Sequence, residues 1–232
     1  KGLKPIDYSL VLGKSLTSDH RPVKAELSAN HSTTILVVTY NCNHRFDEAF
    51  FQDIARHEQT IIIVHIQEVN RKVYEKLLNL FTSAGFSGNM ACAAHLNYGL
   101  ASFYRVRSCK VFAGRCTPAS GQGVIKTMIS EVVRTKGYVA NLIRCRGLEL
   151  ICYNVHAPFV NEPALLKFYQ QLDQAVRMVE SRERHVIVAG DFNSRSSVHD
   201  FNGKLIPYQK DVSSFATNCV GNVSGFETAQ WV

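Results

Sequence analysis

Short runs of apolar residues, rich in Val and Ile, recur along the chain and are separated by polar segments. Their length and β-branched content favour strands over helices. The predicted strands are Ile35–Thr39, Ile61–Ile66, Leu100–Arg105, Tyr138–Cys145, Leu148–Val155 and Val186–Ala189. Only Arg146 and Gly147 separate the fourth strand from the fifth, which predicts a tight hairpin at that point.

Three other segments carry apolar residues at the spacing of an amphipathic helix. The predicted helices are Asp47–His57, Arg71–Ala84 and Pro163–Arg184. Gly85 provides a C-terminal stop for the second helix, and Pro163 suits the start of the third. Because strands and helices alternate, with hairpins among them, we expect mixed sheets that are covered by helices.

The composition fits a single globular domain over residues 1–232, of which 46% are hydrophobic and 19% charged. No apolar run reaches the roughly 20 residues that a membrane-spanning helix needs. The seven cysteines are odd in number, scattered and without a C-x-x-C pair. They predict reduced thiols in an intracellular compartment, nuclear or cytoplasmic, and not a disulfide framework or a zinc site.

Polar residues stand at the ends of four predicted strands. They are Asn41, Gln67-Glu68, Asn154-Val155-His156 and Gly190-Asp191-Phe192-Asn193. Each of these motifs alone is weak evidence for a functional site, because Gly, Asp and Asn favour turns and a lone His is commonly structural. The ends of neighbouring strands converge, however, so we expect these residues to share one cleft. Their oxygen-rich, thiol-free chemistry suits Mg²⁺ or Mn²⁺ better than zinc.

In this order the motifs resemble those of the endonuclease/exonuclease/phosphatase superfamily, which has the DNase-I-like fold. Asn97–Tyr104 resembles that superfamily's G-x-A-x-x strand. Its closing Asp-Tyr strand and Ser-Asp-His motif are matched by Ile6–Val11 and Ser18–Val23. The resemblance implies an α/β (α+β) fold, a four-layer sandwich of two mixed β-sheets packed face to face with helices on the outside.

The Ser-Asp-His motif closes the domain in the superfamily, whereas in this chain it precedes the other motifs. Circular permutation would explain that order, with residues 1–27 equivalent to the superfamily's C-terminal segment. It predicts that Val23–Leu27 pairs antiparallel with Ile35–Thr39 through the short loop Ser28–Thr34. The alternative is that residues 1–27 are the tail of a preceding copy of the domain.

The resemblance also implies a role for each motif residue in the hydrolysis of a phosphate ester. The implied metal ligands, for Mg²⁺ or Mn²⁺, are Glu68, Asn41 and Asp19. The implied catalytic residues are Asp191, Asn193, His156, His20 and Asp7. The predicted substrate-binding residues are Arg105, Asn43 and Arg195. In this scheme Asp191 deprotonates the attacking water, and Asp7 holds the tautomer of His20.

Three features of the sequence favour a phosphodiester of nucleic acid, DNA or RNA, as the substrate. The formal net charge is +7, which favours binding to a phosphate backbone. Tyr153–Pro158, followed by a long helix and Gly-Asp-Phe-Asn, resembles retrotransposon-type endonucleases and deadenylases. The Trp-Cys-Asp-Arg strand of inositol phosphatases is absent, so an inositol polyphosphate or phosphoinositide phosphatase is the alternative. A second alternative is an inactive binding module on the same fold.

Overall fold

The computed structural model describes residues 3–10, 22–30, 33–92, 98–106, 136–145, 148–157, 162–179, 184–192 and 218–222. Within them the strands are β1 Lys4–Leu10, β2 Val23–Asn30, β3 Thr33–Asn41, β4 Ile61–Asn70, β5 Ser87–Cys92, β6 Tyr98–Val106, β7 Gly137–Cys145, β8 Leu148–His156, β9 Arg184–Asp191 and β10 Asn218–Asn222. The helices are α1 Glu48–Arg56, α2 Arg71–Ser83 and α3 Glu162–Val179.

The strands form two mixed sheets, as the sequence predicted. The six-stranded sheet has the order β1-β2-β3-β4-β6-β5, and the four-stranded sheet has the order β10-β9-β8-β7. Among the described strands, β3 with β4 and β8 with β9 run parallel, and the remaining pairs are antiparallel. Helix α1 connects the first parallel pair and α3 connects the second, because a parallel pair needs a long crossover.

Three apolar clusters arrange these elements in four layers. The cluster between the sheets joins Val37 and Ile63 of one sheet to Cys152 and Ile187 of the other. A second cluster packs the outer face of the six-stranded sheet against α1 and α2, and a third packs the four-stranded sheet against α3. The expected four-layer sandwich is therefore confirmed.

Two hairpins predicted from the sequence are also confirmed. Strand β2 pairs antiparallel with β3, from Val23 opposite Thr39 to Leu27 opposite Ile35. Strands β7 and β8 pair from Cys145 opposite Leu148. The first pairing is one that circular permutation requires, but it does not show the permutation, and the chain ends fall outside the described residues.

The boundary of the third helix was predicted wrongly. Helix α3 ends at Val179, and Arg184, which was expected to end it, begins strand β9. Helix α2 agrees with its prediction, because Asn70 caps its first turn by accepting a hydrogen bond from the Val73 amide at 2.8 Å. Gly85, with φ of +80°, follows the helix in a left-handed conformation that favours glycine.

The cysteine prediction was wrong at one position. Cys42 and Cys152 are free and buried, but Cys145 is disulfide-bonded. Sequence spacing did not reveal this bond, because a disulfide depends on distance in the folded protein. The intracellular location, nuclear or cytoplasmic, therefore stays a prediction and loses this support. None of the described helices is long and apolar enough to cross a membrane.

Candidate functional site

The C-terminal ends of the two parallel strand pairs bring four of the predicted site residues together. Asn41 ends β3 and Glu68 lies near the end of β4, whereas His156 and Asp191 end β8 and β9. Asn41 Nδ2 donates to Asp191 Oδ2 at 2.8 Å, from one sheet to the other. His156 Nε2 lies 3.5 Å from Glu68 Oε1 and 3.7 Å from Asp191 Oδ2. The four side chains thus form one cluster, as expected for a shared cleft.

The members of this cluster differ in their access to solvent. The side chain of His156 is fully buried, and that of Asp191 is 1% exposed. Glu68 is 23% exposed at its side chain, so it faces the opening of the site. A carboxylate at the opening and a second one beneath it can approach the same bound group from two sides.

A break in the β4–β6 pairing directs Glu68 towards the site. The register shifts between Ile66 and Val69, and Glu68 has φ of +55°, a left-handed conformation that is unusual for a non-glycine residue. Regular alternation would place the side chain of Glu68 on the other face of the sheet from Gln67, towards the helices. Its contact with His156 of the other sheet shows that the irregularity directs its carboxylate to the site instead.

The loop after β3 holds this irregular segment in place. The His44 amide donates to the Glu68 carbonyl at 2.9 Å, and the Cys42 amide donates to the Gln67 carbonyl at 3.1 Å. Asn43 and His44 also have positive φ, of 45° and 61°. Such conformations cost about 1–3 kcal/mol each and concentrate at functional sites. Burial raises the pKa of the Cys42 thiol to about 12, so this thiol is no nucleophile.

Gly190 allows β9 to approach β8 closely just before Asp191. A Cβ atom at this position would lie 2.0 Å from the carbonyl oxygen of Val155, which is backbone and cannot move aside. Asp191 itself pairs with His156 in the β8–β9 ladder. The glycine of the Gly-Asp motif is therefore required by the close approach of the strands that carry both residues.

Buried amides beneath the site connect the two sheets. Gln67 Nε2 donates to Asn154 Oδ1 at 2.7 Å and to Thr39 Oγ1 at 3.1 Å. Asn154 Nδ2 donates in turn to the Ala101 carbonyl at 2.9 Å and to Ser102 Oγ at 3.3 Å. Gln67 precedes Glu68, and Asn154 lies two residues before His156, so this network fixes the strands that carry those residues.

Lys136 joins the cluster, although no motif in the sequence contains it. Its Nζ contacts His156 Nε2 and lies 3.7 Å from Glu68 Oε1, with the side chain 10% exposed. Burial lowers the pKa of Lys136, and the carboxylates of Asp191 and Glu68 oppose that shift. The only local signal in the sequence is a lysine directly before Gly137, at the start of the strand that pairs with the His156 strand.

Arg105 was predicted to bind substrate, but the structure places it away from the cluster. It pairs with Ile62, at the opposite end of β4 from Glu68. Its guanidinium donates to the carbonyls of Ala55 at 2.8 Å and Ala84 at 3.2 Å, and to that of His57. Carbonyls near the C-terminal ends of α1 and α2 lack helical partners, and Arg105 satisfies them, so its role is structural.

The remaining predicted residues have three outcomes. Asn43 lies beside the site, where its amide donates to Asn41 Oδ1 at 3.1 Å. Asp7 is exposed on β1, opposite Glu26. Glu26 pairs with Leu36, which is five residues, or about 16 Å of strand, before Asn41. Asp7 is therefore not part of the described cluster. The others lie outside the described residues: Asp19, His20, Asn193 and Arg195.

The donor chemistry of the cluster fits a hard divalent cation. The carboxylate of Glu68 and the amide oxygen of Asn41 are oxygen ligands of the type that Mg²⁺ and Mn²⁺ prefer. Among the described residues no group of three or more His, Cys, Asp or Glu is arranged to hold a metal ion. The third predicted ligand, Asp19, lies outside that part of the chain.

Comparisons with solved structures found several distant similarities. ANGEL2, a 2',3'-cyclic phosphatase, is 14% identical with a TM-score of 0.49 over 69% of this chain and 53% of its own. TDP2 from C. elegans is 14% identical with a TM-score of 0.49 over 68% of this chain and 48% of its own. A Bacteroides thetaiotaomicron mannosyl-6-phosphatase is 15% identical with a TM-score of 0.47 over 72% and 68%. The chain thus spans about half the length of the first two.

No curated protein matches the chain. The family model described as Endonuclease/Exonuclease/phosphatase family matches residues 38–231. That match contains Asn41, Glu68, His156 and Asp191, the four predicted residues that the structure brings together. The chain therefore belongs to the endonuclease/exonuclease/phosphatase family, and its two mixed sheets form a DNase-I-like fold.

Proposed function

We propose that this protein is a divalent-metal-dependent phosphoesterase that hydrolyses phosphodiester bonds of nucleic acid. The observation that carries the proposal is the cluster of Asn41, Glu68, His156 and Asp191 at four converging strand ends. It combines a buried carboxylate, an imidazole and a second carboxylate at the opening. Hydrolysis of a phosphate ester needs a base for water, donors for the phosphate and a site for a cation.

Asp191 is the proposed general base. Asn41 holds one of its carboxylate oxygens by the 2.8 Å hydrogen bond, which fixes the orientation of the carboxylate. Water attacks phosphorus while its proton passes to Asp191. The bond from phosphorus to the leaving oxygen then breaks, and that oxygen takes a proton from solvent. The imidazole of His156, which is held between Asp191 and Glu68, donates to a phosphate oxygen.

Glu68 and Asn41 would hold the cation, with Asp19 as a further ligand. When bound, a divalent cation supplies a Lewis acid that polarises the phosphate and offsets its negative charge. The partly exposed carboxylate of Glu68 is the described ligand with the best access from solvent. The left-handed conformation of Glu68 and the contacts of the neighbouring loop keep this carboxylate in position before the cation arrives.

Nucleic acid is the proposed substrate because of the charge near the opening. The protein has a formal net charge of +7. Arg45, in the loop that binds Glu68, is exposed, and so are Arg71 and Lys72 at the start of α2. Exposed cations near a phosphate-binding centre suit a backbone that extends beyond the bond to be cut. Arg195 and Asn43 are proposed as further contacts to this backbone.

Incubation with labelled DNA, RNA and phosphoinositides, each with Mg²⁺ or with EDTA, tests the proposal. We expect cleavage of nucleic acid with Mg²⁺ and none with EDTA. Cleavage that persists in EDTA would overturn the metal dependence. Turnover of phosphoinositides alone would replace nucleic acid with the inositol phosphatase alternative. No turnover of any substrate would favour the inactive binding module. Asp191→Asn, purified in parallel, controls for contaminating nucleases.

A further inference from the structure

Lys136 is a largely buried cation inside the site that none of the recognised motifs contains. Its ammonium contacts the imidazole of His156 and lies 3.7 Å from the Glu68 carboxylate, and Asp191 acts on it electrostatically. A lysine is rarely this buried unless it has charged partners, because removing an ammonium group from water is costly. The carboxylates of the site offset that cost, so Lys136 is an integral member of the cluster.

The fold fixes this position through the four-stranded sheet. Gly137, the first residue of β7, pairs with His156, the last residue of β8. His156 pairs in turn with Asp191 on β9. Lys136 therefore enters the sheet at the row that carries both residues, and its side chain crosses to Glu68 of the other sheet. A surface lysine with no role in the site would not need contacts to both sheets.

We propose that Lys136 is a catalytic residue whose ammonium group donates to a non-bridging oxygen of the substrate phosphate. This inference rests on the proposed phosphoesterase function. Asp191 places a buried negative charge next to the site, and this charge repels a phosphate. A phosphodiester carries one negative charge, and a second develops on its oxygens as water attacks and gives its proton to Asp191. The fixed positive charge of Lys136 therefore stabilises the transition state more than the bound substrate.

Lys136→Met and Lys136→Arg, with Lys167→Met as a matched control, test the proposal. Lys136→Met keeps an unbranched side chain one atom shorter but removes the charge, and Lys136→Arg keeps the charge. Lys167 is exposed on α3, outside the site. We expect Lys136→Met to lower kcat by about 100-fold, the range for loss of one transition-state donor, with a smaller change in KM. Lys136→Arg should retain at least tenfold more activity than Lys136→Met, and Lys167→Met should match the wild type.

The dependence of the rate on Mg²⁺ concentration separates this role from a merely structural one. If Lys136 only held Glu68 in place, its removal would change the half-saturating Mg²⁺ concentration, and saturating Mg²⁺ would restore the rate. A catalytic Lys136 predicts a rate that stays low at saturating Mg²⁺. Recovery of the wild-type rate at high Mg²⁺, or an unchanged kcat in Lys136→Met, would overturn the proposal and leave the proposed function intact.

Binding of orthovanadate, measured by calorimetry, tests Lys136 independently of the substrate. If the wild type turns over none of the substrates, the proposed function fails while this measurement still applies. We expect Lys136→Met to bind orthovanadate at least tenfold more weakly than the wild type and Lys167→Met. Should Lys136→Met fail to fold, as judged by circular dichroism, Lys136→Gln replaces it in both measurements. Equal vanadate affinity in a folded variant and the wild type would contradict the contact between Lys136 and phosphate.

Discussion

Single residues of the site combine buried charge with fixed orientation. Asp191 is almost fully buried, yet it accepts a hydrogen bond from Asn41 and lies near His156. A buried carboxylate keeps its charge only where donors and cations compensate for the loss of water. Asn41, His156 and Lys136 supply that compensation. The groups that stabilise the buried carboxylate also surround the position proposed for the phosphate.

Asp191→Asn should lower the rate of hydrolysis by at least about 100-fold, because the amide has nearly the same shape but cannot accept the proton of water. Steady-state kinetics at saturating Mg²⁺ measures the effect. Asp53→Asn is the matched control, since the side chain of Asp53 is 61% exposed on α1. A rate within threefold of the wild type for Asp191→Asn would move the general base to another residue.

His65 should make the fold sensitive to acid. It is fully buried, and burial lowers its pKa from 6.5 to about 4, against the opposing effect of the Ala189 and Tyr153 backbone. Neither ring nitrogen has a hydrogen bond of good geometry to a described residue. As the pH falls from 6.5 towards 4, His65 becomes protonated in the unfolded chain but stays neutral in the folded chain. The free energy of unfolding should therefore fall across this window.

Denaturant unfolding at pH 7 and pH 4.5 measures this effect in the wild type and in His65→Leu. Given the two pKa values of His65, the loss that this residue causes is about 2 kcal/mol. His65→Leu should lose about that much less stability than the wild type over the same interval. Equal losses in the two proteins would show that other groups cause the acid sensitivity.

At the scale of elements, the site depends on how the two sheets are held against each other. Glu68 belongs to the six-stranded sheet, whereas His156 and Asp191 belong to the four-stranded sheet. Apolar packing between the sheets is not directional and tolerates small shifts. The hydrogen bond from Gln67 to Asn154 is directional and buried, so it fixes the relative position of β4 and β8.

Asn154→Leu should destabilise the fold by about 2–4 kcal/mol, because it removes the buried hydrogen bonds that Asn154 makes with Gln67 and with the Ala101 carbonyl. Ser102→Ala, which removes only one acceptor at 3.3 Å, should cost about 1 kcal/mol or less. Denaturant unfolding compares the two variants. A cost for Ser102→Ala equal to that of Asn154→Leu would mean that the amide pair is not what joins the sheets.

Elements whose own residues determine their structure were predictable from the sequence. The β-branched runs of β3, β4, β8 and β9 identified those strands. Strand β5, Ser87–Cys92, has no such run and is a strand because it pairs with β6. The short β10 likewise depends on pairing with β9. The end of α3 was missed because apolar spacing shows a helical face but not where the helix stops.

In the candidate site, too, residues in local motifs could be predicted from the sequence, whereas residues placed by long-range contacts could not. Asn41, Glu68, His156 and Asp191 follow predictable strands, so their convergence could be expected. Lys136 could not be identified, because its partners lie at distant positions in the sequence and meet only across the sheets. Arg105 of β6 was assigned to the site wrongly, because its place opposite Ile62 of β4 depends on the register of the β4–β6 pairing.

At the scale of the whole molecule, the order of the motifs remains the main unusual feature. The family match begins at residue 38, after the Ser-Asp-His motif. Strands β1 and β2 nevertheless extend the same sheet as β3, which carries Asn41. If the chain is circularly permuted, Asp19 and His20 would complete the site of their own chain. If residues 1–27 instead belong with a preceding copy, the motif would complete the site of another molecule.

Mixing two inactive variants distinguishes these arrangements. His20→Ala and Asp191→Asn should each lower the rate at least about 100-fold if both residues act in catalysis. If each site uses its own Ser-Asp-His motif, a mixture of the two variants contains no intact site and stays inactive. If the motif is exchanged between chains, a mixed dimer contains one site with both wild-type residues, and activity should return after the variants are unfolded and refolded together. Separately refolded wild-type protein is the control, and light scattering gives the oligomeric state. Recovery of activity in the mixture would overturn the permutation, because the fold would then need a second chain to supply His20.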